Sequence, residues 1–160
     1  MISFICSILE AALLSITPSY IAQLKLNQPA LHEKLRILKD RIDQPLAAIL
    51  TLNTIAHTVG AIGVGQQAAL IWADANPLIT SLAVPATMTL AVLILSEIIP
   101  KTLGASFWQR LAPFTARSLA FIIAALYPLV WACQLVTRSL NRSHSASVLT
   151  RSEFLALAEL

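Results

Sequence analysis

Three stretches of this chain are apolar for longer than a bilayer is thick. Residues 46–72, 78–99 and 118–137 hold one Asp, Glu, Lys or Arg between them, Glu97. A helix rises about 1.5 Å per residue, so about 20 residues cross roughly 30 Å of hydrocarbon. A fourth apolar stretch, residues 1–16, reaches about 24 Å at the same rise and is short for a span. In lipid an open strand edge has no water to satisfy it, so such stretches are predicted to be helices. The chain is 57% hydrophobic and only 12% charged, against about 25% charge in a soluble domain. That shortage excludes a globule in water, a disordered chain and a disulfide-stapled secreted fold. The expectation is an all-α integral membrane protein.

Placement of charge sets the expected topology. The net charge is +3, and Lys25, Lys34, Arg36, Lys39 and Arg41 crowd between the first two apolar stretches. Basic loops stay in the cytoplasm, so residues 20–42 and Lys101 are placed inside, and the 72–77 connection, with Asp74 and no base, outside. Arg110 and Arg117 precede the 118–137 stretch, and Arg138 and Arg142 follow it. With both flanks cytoplasmic, that stretch is expected to be re-entrant or in-plane, interrupted near Pro128. The same bases flank apolar runs instead of sitting on a water-soluble module, which argues against nucleic-acid binding. Cys6 and Cys133 lie inside apolar runs and read as small buried hydrophobes.

Helix-start chemistry marks the boundaries. Thr17-Pro18, Asp43 before Pro45, and Asn76-Pro77 each set a capping residue near a first-turn proline. Between the first two apolar stretches, Leu24, Leu26, Leu31, Leu35, Leu38 and Ile42 recur near helical spacing among basic residues. This predicts an interfacial amphipathic helix, broken near Asn27-Gln28-Pro29. Residues 149–160 change character. Glu153 and Glu159 beside Phe154, Leu155 and Leu157 are expected to begin a cytoplasmic acidic helix.

Ionisable and polar groups at membrane depth are functional candidates. Ser3, Ser7 and Glu10 fall on one face of the first helix. Asn53 and His57 share a face of the second, with Thr54 and Thr58 beside them and Gly60, Gly63 and Gly65 beyond. In the third, Ser96 and Glu97 precede Pro100 and Lys101. Pro100 lacks an amide proton, so the Ser96 carbonyl is expected to lose its helical partner. The bland readings are hydroxyls bonded to their own backbone, glycines that only allow close packing, a helix-bonding His57, and a Glu97 paired with Lys101 at i+4. The candidate ligands are oxygens, with no thiolate cluster, paired histidine, or nucleophile with a base. Oxygen ligands select hard cations such as magnesium, calcium or sodium.

Several of these residues also carry a resemblance. The run Ser3-Phe4-Ile5-Cys6-Ser7-Ile8-Leu9-Glu10-Ala11-Ala12-Leu13-Leu14-Ser15 resembles the opening helix of the CorC/CNNM transmembrane domain. Leu52-Asn53-Thr54 sits where that family has a Gly-Asn-Thr-like motif, with Leu52 in place of glycine. Ser96-Glu97-Ile98-Ile99-Pro100-Lys101-Thr102-Leu103 is similar to its Gly-Glu-Ile-x-Pro-Lys motif, with Ser96 for glycine. The resemblance implies a transmembrane domain over residues 1–148, with three spanning helices, an outside N-terminus and a belt of cytoplasmic helices. It implies a homodimer in the inner cell membrane that exports magnesium in exchange for sodium. Residues 149–160 would lead into a pair of CBS domains. The metal ligands it implies are Ser3, Ser7, Asn53 and Glu97, aided by backbone carbonyls. Around them Glu10, Thr54, His57 and Ser96 are candidates for coupling or support, and Pro100 for the helix break.

Two functions from different classes follow from the residues taken with the resemblance. One is a secondary transporter of hard divalent cations, magnesium first. The other is a membrane interaction protein that regulates other cation transporters, its polar residues serving helix packing. An enzyme is not expected.

Overall fold

The computed structural model describes residues 1–71, 79–129 and 131–132, and the regular structure among them is entirely helical. The order is α1 (Ile2–Ser15), α2 (Pro18–Asn27), α3 (Pro29–Asp40) and the long α4 (Asp43–Ile71). A third long helix runs over Ser81–Ser106. It contains α5 (Val84–Ala91) and α6 (Ile99–Ser106), with π-helical stretches at Ile79–Ala83 and Val92–Ile98. α7 (Trp108–Ala125) follows after Phe107. The Asn76-Pro77 start, Cys133, and the acidic stretch 149–160 lie outside the described residues.

α4 and the Ser81–Ser106 helix are each long and apolar enough to cross a membrane. α1 passes that test together with α2, from which it is bent by 89°. Local chemistry accounts for the bend. Thr17 Oγ1 accepts from the Tyr20 amide at 3.3 Å, and Pro18 opens α2 where a missing amide costs nothing. The expected break near Asn27 is present, since Pro29 starts α3 directly after Gln28. There His32 Nδ1 donates to the Ile21 carbonyl at 2.8 Å and pins α3 against α2. Lys39 Nζ donates to the Leu14 carbonyl at 3.3 Å, meeting an otherwise orphaned acceptor at the end of α1. Burial pulls that lysine below its ordinary range. On the exposed face of α3, Arg36 forms a two-point bond with Glu33 and holds its carboxyl below the usual carboxylate range.

The core forms where α1 meets α4, α6 and α7. Cys6, Leu9, Leu13 and Ile16 pack with Leu35, Ile49, Ala112 and Leu119. The α1–α6 crossing is close. A Cβ at Gly104 would lie 2.5 Å from the Ile8 carbonyl oxygen and 3.0 Å from Ala11 Cβ. Only a glycine lets the two backbones approach in this way.

Three boundaries differ from expectation. The 78–99 stretch does not stop near Ile99 but continues as helix to Ser106. Proline is tolerated there because it falls in the first turn of α6, directly after the π-helical stretch. The Ile99 amide reaches back five residues to the Ile94 carbonyl. Continued in that register, the amide that Pro100 lacks would fall opposite the Leu95 carbonyl, and in α-helical register opposite that of Ser96. The helix over the 118–137 stretch begins at Trp108, ten residues before the expected 118, and α7 ends at the Leu126 cap, two residues from the Pro128 near which an interruption was expected. Hydropathy hides this start because Arg110 and Arg117 lie inside the helix, while Ala112, Thr115, Ala116 and Leu119 form its buried stripe. Asp43, expected as a cap, instead lies in the first turn of α4.

Candidate cation site

The fold collects the polar residues of three helices in one place. α1 supplies Ser3 and Ser7, which are buried, and Glu10, which is half-buried. α4 supplies Asn53 and His57. Glu97 lies in the π-helical stretch Val92–Ile98, and Lys101 one turn on in α6. Departures from α-helical register of this kind often mark functional positions.

Contacts join these side chains, Ser7 excepted, into one network. Asn53 Nδ2 donates to Glu97 Oε1 at 2.9 Å. Lys101 Nζ sits 3.2 Å from Glu97 Oε2 and 3.3 Å from Glu10 Oε1. Ser3 Oγ and His57 Nε2 share a hydrogen bond, and the same nitrogen lies 3.8 Å from Glu97 Oε1. Glu97 is thus the hub, touched from α4 twice and from α6 once. It does pair with Lys101 at i+4, as the bland reading had it, but that pairing is one contact among several.

Two oxygens of the site stand apart. Ser7 Oγ and Asn53 Oδ1 are buried and make no hydrogen bond, a condition shared by Thr115 Oγ1 on α7. Leaving a buried polar atom unpaired costs about 1–3 kcal/mol, so each asks for a partner. Among the described residues, no three His, Cys, Asp or Glu side chains come together as a metal-holding group. Hydroxyl and carboxamide oxygens beside the Glu97 carboxylate form a donor set suited to hard ions.

Other candidates separate from the cluster. Thr54 Oγ1 donates to the Leu50 carbonyl of its own helix at 2.8 Å, so its hydroxyl is already engaged. Ser96 is half-buried beside Glu97 but joins none of the bonds above. Gly60, Gly63 and Gly65 meet nothing within 4 Å, so they allow no close packing inside this chain. Spacing along the chain does not bring Ser3 to His57, yet the fold places the two in contact. This is not a hydrolytic triad, because serine and carboxylate both face Nε2, whereas in a triad the carboxylate holds Nδ1. The reach of Lys101 to Glu10 and the close approach at Gly104 were also missed; the small residues Ala11 and Ala12, facing Gly104, were the available cue.

Apolar helices of spanning length around a buried oxygen cluster define a helical membrane domain with a polar centre. The whole chain, residues 1–160, matches the family described as the cyclin M transmembrane N-terminal domain, and it belongs to that CNNM family. It is 30% identical over 158 residues to a UPF0053 protein of Synechocystis sp., covering 99% of this chain and 44% of that protein. It is 27% identical over 108 residues to a UPF0053 protein of Haemophilus influenzae, covering 68% of this chain and 25% of that one. The chain therefore spans less than half the length of the curated relatives it matches.

Proposed function

We propose that this domain carries magnesium across the cell membrane, as a secondary transporter that exports it in exchange for sodium. One observation supports the reading most. Ser7 Oγ on α1 and Asn53 Oδ1, whose carboxamide nitrogen bonds Glu97, are buried without partners. A magnesium ion takes oxygens at about 2.0–2.1 Å in octahedral geometry and gives up water reluctantly. Ser3, Ser7, Asn53 and Glu97 would replace part of that water, and rotation of the Asn53 carboxamide would turn its oxygen toward the ion. One carboxylate among neutral ligands suits a carrier, since the ion must leave as well as enter. Sodium, another hard cation, would use the same oxygens on the return step.

We read the chain as a carrier and not an enzyme, on the Nε2 geometry described above. A homodimer completes the proposal. The apolar faces of α4 and α5 are left uncovered, with a cavity of about 560 Å³ lined by Gly63, Val64, Val84, Thr87 and Met88. A symmetric second copy is the commonest way to cover such a face. In the full protein, an acidic helix starting at residue 149 would lead into cytoplasmic CBS domains that regulate transport.

Purified protein in liposomes tests the transport reading. Magnesium efflux should appear with an opposing sodium gradient and vanish in Glu97→Gln. Efflux indifferent to Glu97→Gln would overturn the site. Absence of magnesium binding by titration calorimetry, together with binding of another transporter, would favour the regulatory alternative.

A further inference from the structure

Glu97 has no uncommitted oxygen in this structure. Oε1 accepts from Asn53 Nδ2 at 2.9 Å, and Oε2 faces Lys101 Nζ at 3.2 Å. The same ammonium reaches across to Glu10 Oε1 on α1 at 3.3 Å. One lysine is therefore shared between two carboxylates on different helices. Its side chain is the most exposed of the three, at 43%, against 29% for Glu10 and 22% for Glu97. It approaches from the open side on a flexible four-carbon stem, and an ammonium is a point charge that can be exchanged without matched geometry.

We infer that Lys101 is a tethered counter-cation. It neutralises Glu97 while no ion is bound, withdraws to Glu10 alone when a divalent cation takes Glu97, and returns as that ion leaves. This rests on the reading of Ser3, Ser7, Asn53 and Glu97 as the cation site. The charges explain why such a device is useful. Glu10, Glu97 and Lys101 sum to one negative charge, and a divalent ion changes that to one positive charge. Without Lys101 the pair of carboxylates would be doubly negative and would become neutral on binding, a trap from which the ion escapes slowly. Lys101 weakens binding in two ways, by occupying a ligand oxygen and by repelling the ion at close range. Glu10 gives the displaced ammonium a second resting place; without it, Lys101 would hold Glu97 alone and compete harder.

The two sides of the exchange are expected to move binding in opposite directions. Magnesium titration of the full chain in nanodiscs should show Lys101→Gln binding about tenfold tighter than the parent. Glu10→Gln should bind about tenfold weaker. Lys101→Arg keeps the charge and should not show the gain. Release of preloaded magnesium from Lys101→Gln should be slower by a similar factor. Tighter binding in Lys101→Gln with weaker binding in Glu10→Gln supports the exchange. Unchanged or weaker binding in Lys101→Gln, while the parent binds and Glu97→Gln does not, overturns the role of Lys101 and leaves the site standing. A parent that binds no magnesium, or a Glu97→Gln variant that binds like it, overturns the site and the inference together. Should Lys101→Gln fail to fold, Glu10→Gln decides: tighter or unchanged binding there rejects the exchange.

Discussion

The two ends of the long helices are built on different terms. At one end, α1 is wedged among α4, α6 and α7, and residues such as Leu9, Leu13, Ile49 and Leu119 are almost wholly buried. At the other, α4 beyond His57 runs beside α5 with Val59, Ile62, Leu82 and Leu90 exposed. Glycine tells the same story. Gly104 is wedged against the Ile8 carbonyl, whereas Gly60, Gly63 and Gly65 face open space. The packed end positions chemistry through contacts within one chain. The open end presents an apolar surface whose neighbours must be lipid or another helix, since exposed leucine and valine on this scale are tolerable only out of water. The polar network belongs to the packed end, where backbones are held closely enough to fix side-chain oxygens.

The comparison breaks most visibly at Glu97. Glu97→Gln keeps the shape and the bond from Asn53 but removes the charge, so magnesium binding should fall by at least about a hundredfold while the fold persists. Calorimetric titration beside a helical circular dichroism spectrum would check both halves. Binding equal to the parent would make Glu97 a structural partner of Lys101.

Gly104→Ala should cost about 1–3 kcal/mol of stability, because the new methyl meets backbone on α1, which cannot rotate away. Thermal unfolding in detergent measures this. A variant as stable as the parent would mean that α1 and α6 can separate cheaply, and that the packed end is looser than its geometry. Asn53→Ala and Ser7→Ala should each weaken magnesium binding about tenfold by titration, less than Glu97→Gln, since each removes one neutral ligand. Ser7→Ala also removes a buried unpaired oxygen and no hydrogen bond, so it should lower stability by less than Gly104→Ala, whereas Asn53→Ala also loses the bond to Glu97. A loss of stability without a loss of binding would assign these oxygens to packing.

Much of this fold was legible in the sequence because lipid imposes a simple rule. Apolar length gave α4 and most of the Ser81–Ser106 helix, and the Thr17-Pro18 and Gln28-Pro29 signals gave the corners around α2. Helical spacing also set Ser3 with Ser7 and Asn53 with His57. What spacing cannot express is contact between helices. The Ser3–His57 bond and the reach of Lys101 to Glu10 depend on how α1 lies against α4 and α6. The π-helical register around Glu97 is a matter of backbone bonds and leaves no mark in residue type. α7 was misplaced for a different reason. Its charged outer face lowers the average hydropathy, although the stripe of Ala112, Thr115, Ala116 and Leu119 was there to be read.

The smallest effects are expected at the open end, and they sharpen the comparison most finely. Gly63 sits on α4 with nothing within 4 Å of where a Cβ would be. Alanine removes backbone freedom from the unfolded chain and favours helix by about 0.5–1 kcal/mol, so Gly63→Ala should be neutral or slightly stabilising in a single chain. The same substitution has another meaning if a second copy packs there, because small residues let membrane helices approach closely. Native mass spectrometry of Gly63→Ala and Gly63→Leu in mild detergent, beside thermal unfolding, separates the cases. On the proposed dimer, Gly63→Leu shifts the population toward single chains while each chain keeps its helix content. Two-chain assembly untouched by Gly63→Leu would place the dimer contact elsewhere and leave this face to lipid. A loss of stability confined to the single chain would show that the open end is packed after all, and the contrast with Gly104 would fall.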